Sequence, residues 1–443
     1  MPEILERTSE NAPGAARAPS EGIQVRAPWA RSVITFLMVM GPGLIVMEAD
    51  NDAGAVSSYT QAGAQYGTHM LWVLVLLFPI TYLVQEMVAR LGIATGQGHA
   101  AMIYQRFGRW WGNFSLFDLQ LTNFLTLVTE FAGISLAAAK LGISPVIAVP
   151  TTAVALIVLV TSGGYLRWER ITIGLCLLDI SWFVMAALAH PKWGEVAVQS
   201  IVPTKPVGGI TSGYVFLLIA IVGTTIAPWQ LFFQQSCVAD KKLRFKDLKF
   251  ARLDTGIGAV FTILVAGAMM LVGDIAYRHG VKFQDPAQMA ADILPYAGPL
   301  VKQGVLLMMI NAAVLGTMAI SLSSAWAYGE VKGWPHSLHV GLRRAPGFYA
   351  VFVGCVLAAA GIVLIPNVPL QLVIIGVQVM AGLMLPSAIV FLQLLLNDRE
   401  LLGERFVNRP WNNWANWTIV ALLFGLSLVL AAQVALPSLF PAS

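Results

Sequence analysis

An all-α, polytopic membrane fold with two broken helices follows from three observations on this sequence. Of its 443 residues 57% are hydrophobic and only 11% charged, with a mean hydropathy of +0.72; soluble domains carry about 25% charged residues. Apolar runs of about twenty residues, each long enough to cross a bilayer as a helix, recur eleven times. The first and sixth runs are each interrupted midway, by "DNDAG" (50–54) and by "APW" (227–229).

Taken in order, residues 1–30 are polar, rich in Ala, Pro and Glu, and lack the apolar core of a cleavable signal peptide. They read as a disordered cytoplasmic tail. The apolar segments then centre on 32–66 (interrupted), 69–90, 113–139, 146–163, 171–189, 213–240 (interrupted), 252–276, 300–328, 348–366, 369–396 and 417–437. Five spans separate the two interruptions, an odd number, so the halves lie upside-down relative to each other. This predicts a first five-helix repeat over 31–190, a second, inverted one over 213–396, and an additional eleventh helix over 415–437. Interrupted helices at matching places of inverted repeats mark a transporter's substrate site, because free backbone groups survive at membrane depth only where they line a cavity or are buried in protein.

Charge supplies the orientation. Segments 1–31, 90–112, 164–170, 240–252, 329–345 and 396–414 hold 21 of the 27 Lys and Arg residues. By the positive-inside rule they are cytoplasmic, which gives a multi-pass protein of the cell membrane with its N-terminus inside and its C-terminus outside. Trp110, Trp111, Trp168, Trp193, Trp334, Trp411 and Trp414 fall at span ends, as an interfacial belt requires. The run "KKLRFKDLK" (241–249) reads as a solvated loop rather than an anionic-lipid site. Cys176, Cys237 and Cys355 are scattered and make no disulfide framework or metal cluster.

Three carboxylates, Glu48, Asp50 and Asp52, fall at or just before the first break. A carboxylate at mid-bilayer costs at least about 2.5 kcal/mol, so it faces a partner or water, and a bound cation is one such partner. Asp52 is the expected metal ligand, with hydrogen bonding to free backbone amides as its alternative role. Asn51, Gly54 and Ala55 flank it; Glu48 and Asp50 either line the mouth or pair with another span. The second break offers the Gln230 side-chain oxygen and backbone carbonyls at Ala227, as the first does at Ala53. Trp229 cannot ligate, so it packs or narrows the path. Glu86, Asn123, Glu130, Asp179, Gln234, Asn311 and Gln378 are further intramembrane polar residues. All six histidines lie in loops or at span ends, and neither turn holds Cys or Met. The donors are therefore hard oxygens, suited to Mg²⁺, Ca²⁺ or Mn²⁺. The ion is cargo, so no cofactor is expected, and the partners are the ion and the bilayer, with no nucleic acid and a monomeric chain.

"GPGLIV" (41–46), "DAG" (52–54), "LWVL" (71–74), "ARLGIATG" (89–96) and "GTTIAPWQ" (223–230) resemble the NRAMP family of divalent metal transporters, in order over about residues 35–390. The resemblance implies the inverted-repeat fold of amino acid–polyamine–organocation carriers, with metal held between the broken first and sixth helices. Departures from the family pattern point to a subtype. Its Asp-Pro-Gly-Asn turn appears as Asp52-Ala53-Gly54-Ala55, and its Met-Pro-His turn as Ala227-Pro228-Trp229. Its second histidine is Gln234, and its Thr-Asp-Leu-Ala-Glu stretch reads Thr129-Glu130-Phe131-Ala132-Gly133, so one acid of the family's proton route is absent. Gln378, eight residues before Pro386, matches a family glutamine near the metal. The pattern resembles the NRAMP-related magnesium transporter branch, which implies Mg²⁺ transport, with Mn²⁺ also carried, and no proton coupling.

The competing readings are a proton-coupled Mn²⁺/Fe²⁺ importer, an aluminium-type carrier, and an amino-acid or organic-cation carrier on the same fold. An enzyme is not expected: "LVGD" (271–274) lacks the first glycine of the intramembrane aspartyl protease motif, and no Ser/His or zinc-protease pattern occurs. Two broken helices in one chain fit alternating access better than a channel.

Overall fold

The computed structural model describes residues 35–204, 206, 209 and 211–435. The chain separates into two compact units, 1–38 and 39–443. In the first, residues 35–38 are helical, and the tail expected over 1–30 lies outside the described residues. All regular elements described are helical: α1 (Pro42–Ala49), α2 (Ala53–Tyr66), α3 (Leu71–Thr95), α4 (His99–Lys140), α5 (Pro145–Ser162), α6 (Tyr165–Leu178), α7 (Ser181–Leu188), α8 (Trp193–Ile201) and α9 (Ser212–Thr225). After these come α10 (Pro228–Asp240), α11 (Leu248–Arg278), α12 (Pro286–Asp292), α13 (Leu294–Lys332), α14 (Pro346–Val363), α15 (Leu370–Leu396), α16 (Arg399–Phe406) and α17 (Pro410–Ala435).

Nine stretches among the described residues are long and apolar enough to cross a membrane. The remaining two of the eleven expected spans are α17 and the broken pair α1–α2. Neither half of that pair is sufficient alone, but 8 and 14 residues at about 1.5 Å each together cover a core of roughly 30 Å. The sixth span is likewise halved into α9 and α10, and Pro228 at the start of α10 has no N–H to continue α9. One boundary departs from expectation. Residues 99–107, placed in a loop by their polarity, are helical, and α4 turns a corner at Gly108 (φ 82°), a backbone conformation that favours glycine.

The broken helices occupy the middle of the bundle. The second half of the first span, α2, packs along α11, and the second half of the sixth, α10, packs along α3. Each thus meets the helix that follows its counterpart's span. α4 runs along α13, and α9 along α15. The last contact is close: a Cβ on Gly223 would overlap the Gln378 carbonyl oxygen and lie 2.5 Å from the Gly382 nitrogen.

The start of α1 has no local side-chain cap. Asp254, more than two hundred residues away on α11, supplies one. Its Oδ2 accepts from the N–H groups of Gly43 (2.7 Å) and Gly41 (3.2 Å), and its Oδ1 from Leu44 (3.2 Å). A carboxylate there satisfies the helix's orphan donors and complements its dipole. Asp254→Ala should therefore destabilise the protein by about 3 kcal/mol, since hydrogen bonds to a charged group contribute about 1.5–3 kcal/mol each and do not add fully. Asp254→Asn, which keeps one acceptor oxygen, should lose less. Thermal unfolding of both variants in detergent checks this; equal melting temperatures for wild type and Asp254→Ala would contradict it.

Candidate metal centre at the two helix breaks

Residues 50–52 are non-helical because α1 ends at Ala49 and Asp52 restarts the chain as an N-cap. Asp52 is extended (φ −69°, ψ −176°), and its Oδ1 accepts from the Ala55 N–H at 2.8 Å. The carbonyls of Asp50 and Asn51 accept no backbone hydrogen bond, and neither does that of Ile226 at the second break. Free carbonyls thus collect at membrane depth between two half-helices. Asp50, Asn51, Asp52, Ala227, Trp229 and Gln230 are all buried.

Around Asp52 the structure gathers Ala53, Gly54, Ala55, Glu130 and Gln378. Glu130 Oε2 accepts from the Ala53 N–H at 3.0 Å, which brings its carboxyl group beside Asp52. Ala53 is the first residue of α2, so its carbonyl points down its own helix; its N–H, rather than its oxygen, is what it contributes here. Gly54 packs so closely that a Cβ would overlap Gln378 Nε2, an amide nitrogen without a partner. Gly316 on α13 closes the other side, 2.7 Å from Glu130 Oε2 and 2.9 Å from Asp52 Cβ as measured from an added Cβ. Gly133 shows why an acid is missing from that position of α4: its Cβ would sit 2.5 Å from that of Ala53.

Asp50 forms the other acidic wall. Both its carboxylate oxygens are buried with no hydrogen bond. The Gln230 amide faces it, yet Gln230 Nε2 also completes no bond, so the two groups approach without closing. The Gln230 oxygen, the expected ligand atom, instead accepts from Gln85 Nε2 on α3 at 2.8 Å. Gln85 Oε1 is itself unpartnered. Rotating both amides would keep one hydrogen bond between them and turn the Gln230 oxygen toward Asp50.

The other expected residues lie further out. Glu48 accepts from Thr262 Oγ1 at 2.9 Å and from Asn51 Nδ2 at 3.4 Å, and it neighbours Asp179 rather than Asp52. Asp179 in turn accepts from Asn311 at 3.3 Å. Gln234 donates to Thr255 on α11 at 3.1 Å. The Ala227 carbonyl accepts from the Gln230 N–H at 3.2 Å. Trp229 packs in an aromatic chain through Phe233 (6.0 Å) to Trp326 (5.6 Å), a wall rather than a gate. His99, at a span end as expected, is nevertheless fully buried, bonded through Nδ1 to Gln235 Oε1 of α10 at 2.7 Å. Gln85, Thr262, Asp254 and Gly316 were not singled out from the sequence. A glutamine or threonine inside an apolar run is ordinary, and only tertiary contacts show where it points.

The arrangement can bind a cation through carboxylate, amide and carbonyl oxygens, without sulfur or imidazole. Among the described residues no cluster of three or more His, Cys, Asp and Glu side chains has metal-binding geometry, so side chains with few charges and backbone oxygens would have to share the ion.

The model of the family described as natural resistance-associated macrophage protein-like (Nramp) matches residues 43–433. The chain is 28% identical to the Pseudomonas aeruginosa divalent metal cation transporter MntH 1, over 96% of this chain and 97% of that protein. It is 24% identical to a Staphylococcus aureus divalent metal cation transporter MntH, over 90% and 91%. Among solved structures it superposes on the Eremococcus coleocola manganese transporter in complex with an aromatic bis-isothiourea substituted compound, with a TM-score of 0.75 and 20% identity, covering 91% of this chain and 88% of that one. The fold is shared more distantly by Mhp1, a nucleobase–cation symporter, at a TM-score of 0.52 and 14% identity, covering 91% and 94%.

Proposed function

Because the chain belongs to the Nramp family, we propose that it is a secondary transporter of divalent metal ions working by alternating access, chiefly for Mg²⁺ with Mn²⁺ also carried, and without proton coupling. It is a carrier and not an enzyme, and the metal is cargo. The observation that carries the reading is the pair of buried acids, Asp52 and Asp50, at the meeting point of two broken helices. Asp52, Gln230 and Gln378, with carbonyls of the unwound turns including Ala227, form the ligand set, and the unpartnered oxygens of Asp50 add a second carboxylate.

Selectivity for Mg²⁺ is supported by what surrounds those oxygens. Mg²⁺ dehydrates reluctantly and keeps several waters, bound through one or two carboxylates, whereas a thioether favours softer ions. Here Ala227 and Ala55 stand at the breaks, leaving room and no sulfur. This composition supports a reading as a member of the NRAMP-related magnesium transporter branch. Lack of proton coupling is supported by three contacts: Gln234 is engaged with Thr255, Trp229 is packed among aromatics, and Gly133 has no space for a side chain. A proton-coupled manganese importer is the second reading, its cargo suggested by the manganese transporter of the same fold and its coupling by the Glu130 carboxyl group beside Asp52.

Uptake of Mg²⁺, Mn²⁺ and Ca²⁺ into proteoliposomes with internal pH recorded separates the two. A dication gains about 4.6 kcal/mol per 100 mV, at roughly 2.3 per elementary charge. That is over three decades of concentration ratio at about 1.4 kcal/mol per tenfold, so a negative-inside potential alone should drive accumulation with internal pH unchanged. Acidification that tracks the metal and vanishes in Glu130→Gln would establish the coupled importer. In the same assay Ala227→Met should shift preference from Mg²⁺ toward Cd²⁺ by about tenfold, near the 1.4 kcal/mol of one such factor. An unchanged Mg²⁺/Cd²⁺ ratio would mean that residue 227 does not face the ion.

A further inference from the structure

Away from the breaks, a cavity of about 480 Å³ between α3, α11 and the α16–α17 connection draws together four arginines and a single carboxylate. Glu86 is divided between two of them: Arg252 Nε and Nη2 each approach its Oε1 at 2.8 Å, and Arg90 Nε lies 3.3 Å from the same oxygen. Arg90 is buried and held further by the Phe406 carbonyl and by Asn408 Oδ1 at 2.7 Å. Arg405 lies 3.5 Å over the Phe245 ring, and among the described residues neither it nor Arg409 has an ion pair with a carboxylate. Four guanidinium groups and one acid thus line a single half-open space.

Like charges so placed repel unless an anion joins them. A guanidinium is a planar fork that matches the oxygens of a phosphoryl group, and it is weakly enough hydrated to work in a half-buried site. Trp411 and Tyr82 at the rim are residue types of the membrane–water interface. The arginines belong to the Lys/Arg-rich face that the positive-inside rule makes cytoplasmic, where anionic lipids concentrate and basic pockets between spans bind their headgroups. Of the run 241–249 only Phe245 and Leu248, both uncharged, line this space, so the charges come from elsewhere.

We infer that this cavity binds a phosphoryl oxyanion, presented either by an anionic phospholipid headgroup or by free phosphate, and that Arg405 and Arg409 supply its adaptable contacts while Arg90 and Arg252 form the fixed floor. The purified full chain in detergent tests this by thermal unfolding with added dioleoylphosphatidylglycerol, dioleoylphosphatidylcholine, sodium phosphate, or sodium chloride at matched ionic strength. Phosphatidylglycerol should raise the melting temperature saturably, and in Arg405→Gln/Arg409→Gln the half-saturating concentration should rise at least tenfold. Single Arg409→Gln should fall between, and Arg343→Gln/Arg344→Gln, exposed and outside the cavity, should match wild type. Protection by phosphate as well, lost in the same variant, would assign recognition to the phosphoryl group itself; protection by phosphate alone would assign the site to a soluble ligand. Equal protection of wild type and double variant, or protection reproduced by phosphatidylcholine or chloride, would overturn the inference.

Discussion

Replacing Asp52 by Asn should abolish metal uptake and leave a folded, purifiable protein. Asp52 has two separable duties. Its Oδ1 caps α2 through the Ala55 N–H, a role that Asn fills as well as Asp, whereas Ala would cost about 1 kcal/mol. Its charge is the other duty. A dication leaving water for a buried site needs carboxylate oxygens, and the neutral amide cannot replace that attraction. Uptake of both Mg²⁺ and Mn²⁺ should fall at least about a hundredfold, or about 2.7 kcal/mol, in either variant. Melting temperature should be preserved in Asp52→Asn and modestly lowered in Asp52→Ala. The comparison of initial rates with thermal stability is decisive, because a purely structural cap would spare transport in Asp52→Asn.

Gly54→Ala should also damage transport, for a steric reason. An added Cβ falls on Gln378 Nε2, the end of a flexible side chain that yields by rotating away. The fold then survives, and Gln378 leaves the site. Gly54→Ala should thus reproduce the defect of Gln378→Ala, a loss of about tenfold or more, near 1.4 kcal/mol. The double variant should be no worse than either single one, the non-additivity expected when two changes remove one interaction. Multiplicative losses in the double variant would show that Gly54 serves transport independently of Gln378.

Much of this was legible in the sequence. Eleven spans and two breaks follow from hydropathy, from Pro228 and from residues that cannot continue a helix in lipid, whereas the importance of Glu130 and Gln378 follows only from the family resemblance. Less legible was which oxygen of each residue is free. Nothing local distinguishes Asp50 from Glu48, yet Thr262 and Asn51 satisfy Glu48, while Asp50 stands without partners. Gln230 shows the same limit, since its amide is turned by Gln85, a hundred and forty-five residues away in the chain. The helical segment before Gly108 was missed because polar residues at an interface carry no apolar run, and one backbone angle ends it.

The cap on α1 has a consequence for how the bundle can open. Asp254 holds the N–H groups of Gly41, Gly43 and Leu44. Beside it Lys241 Nζ bonds the Met40 carbonyl at 2.7 Å and Glu169 Oε1 at 2.6 Å. Moving the start of α1 off this cluster strips partners from a carboxylate, an ammonium group and several backbone groups at once, and none of these survives bare in a medium of low dielectric. Water must therefore arrive as the contacts part. Swinging of the half-helix and wetting of the passage behind it become a single event, and the rate of opening should depend on the activity of water.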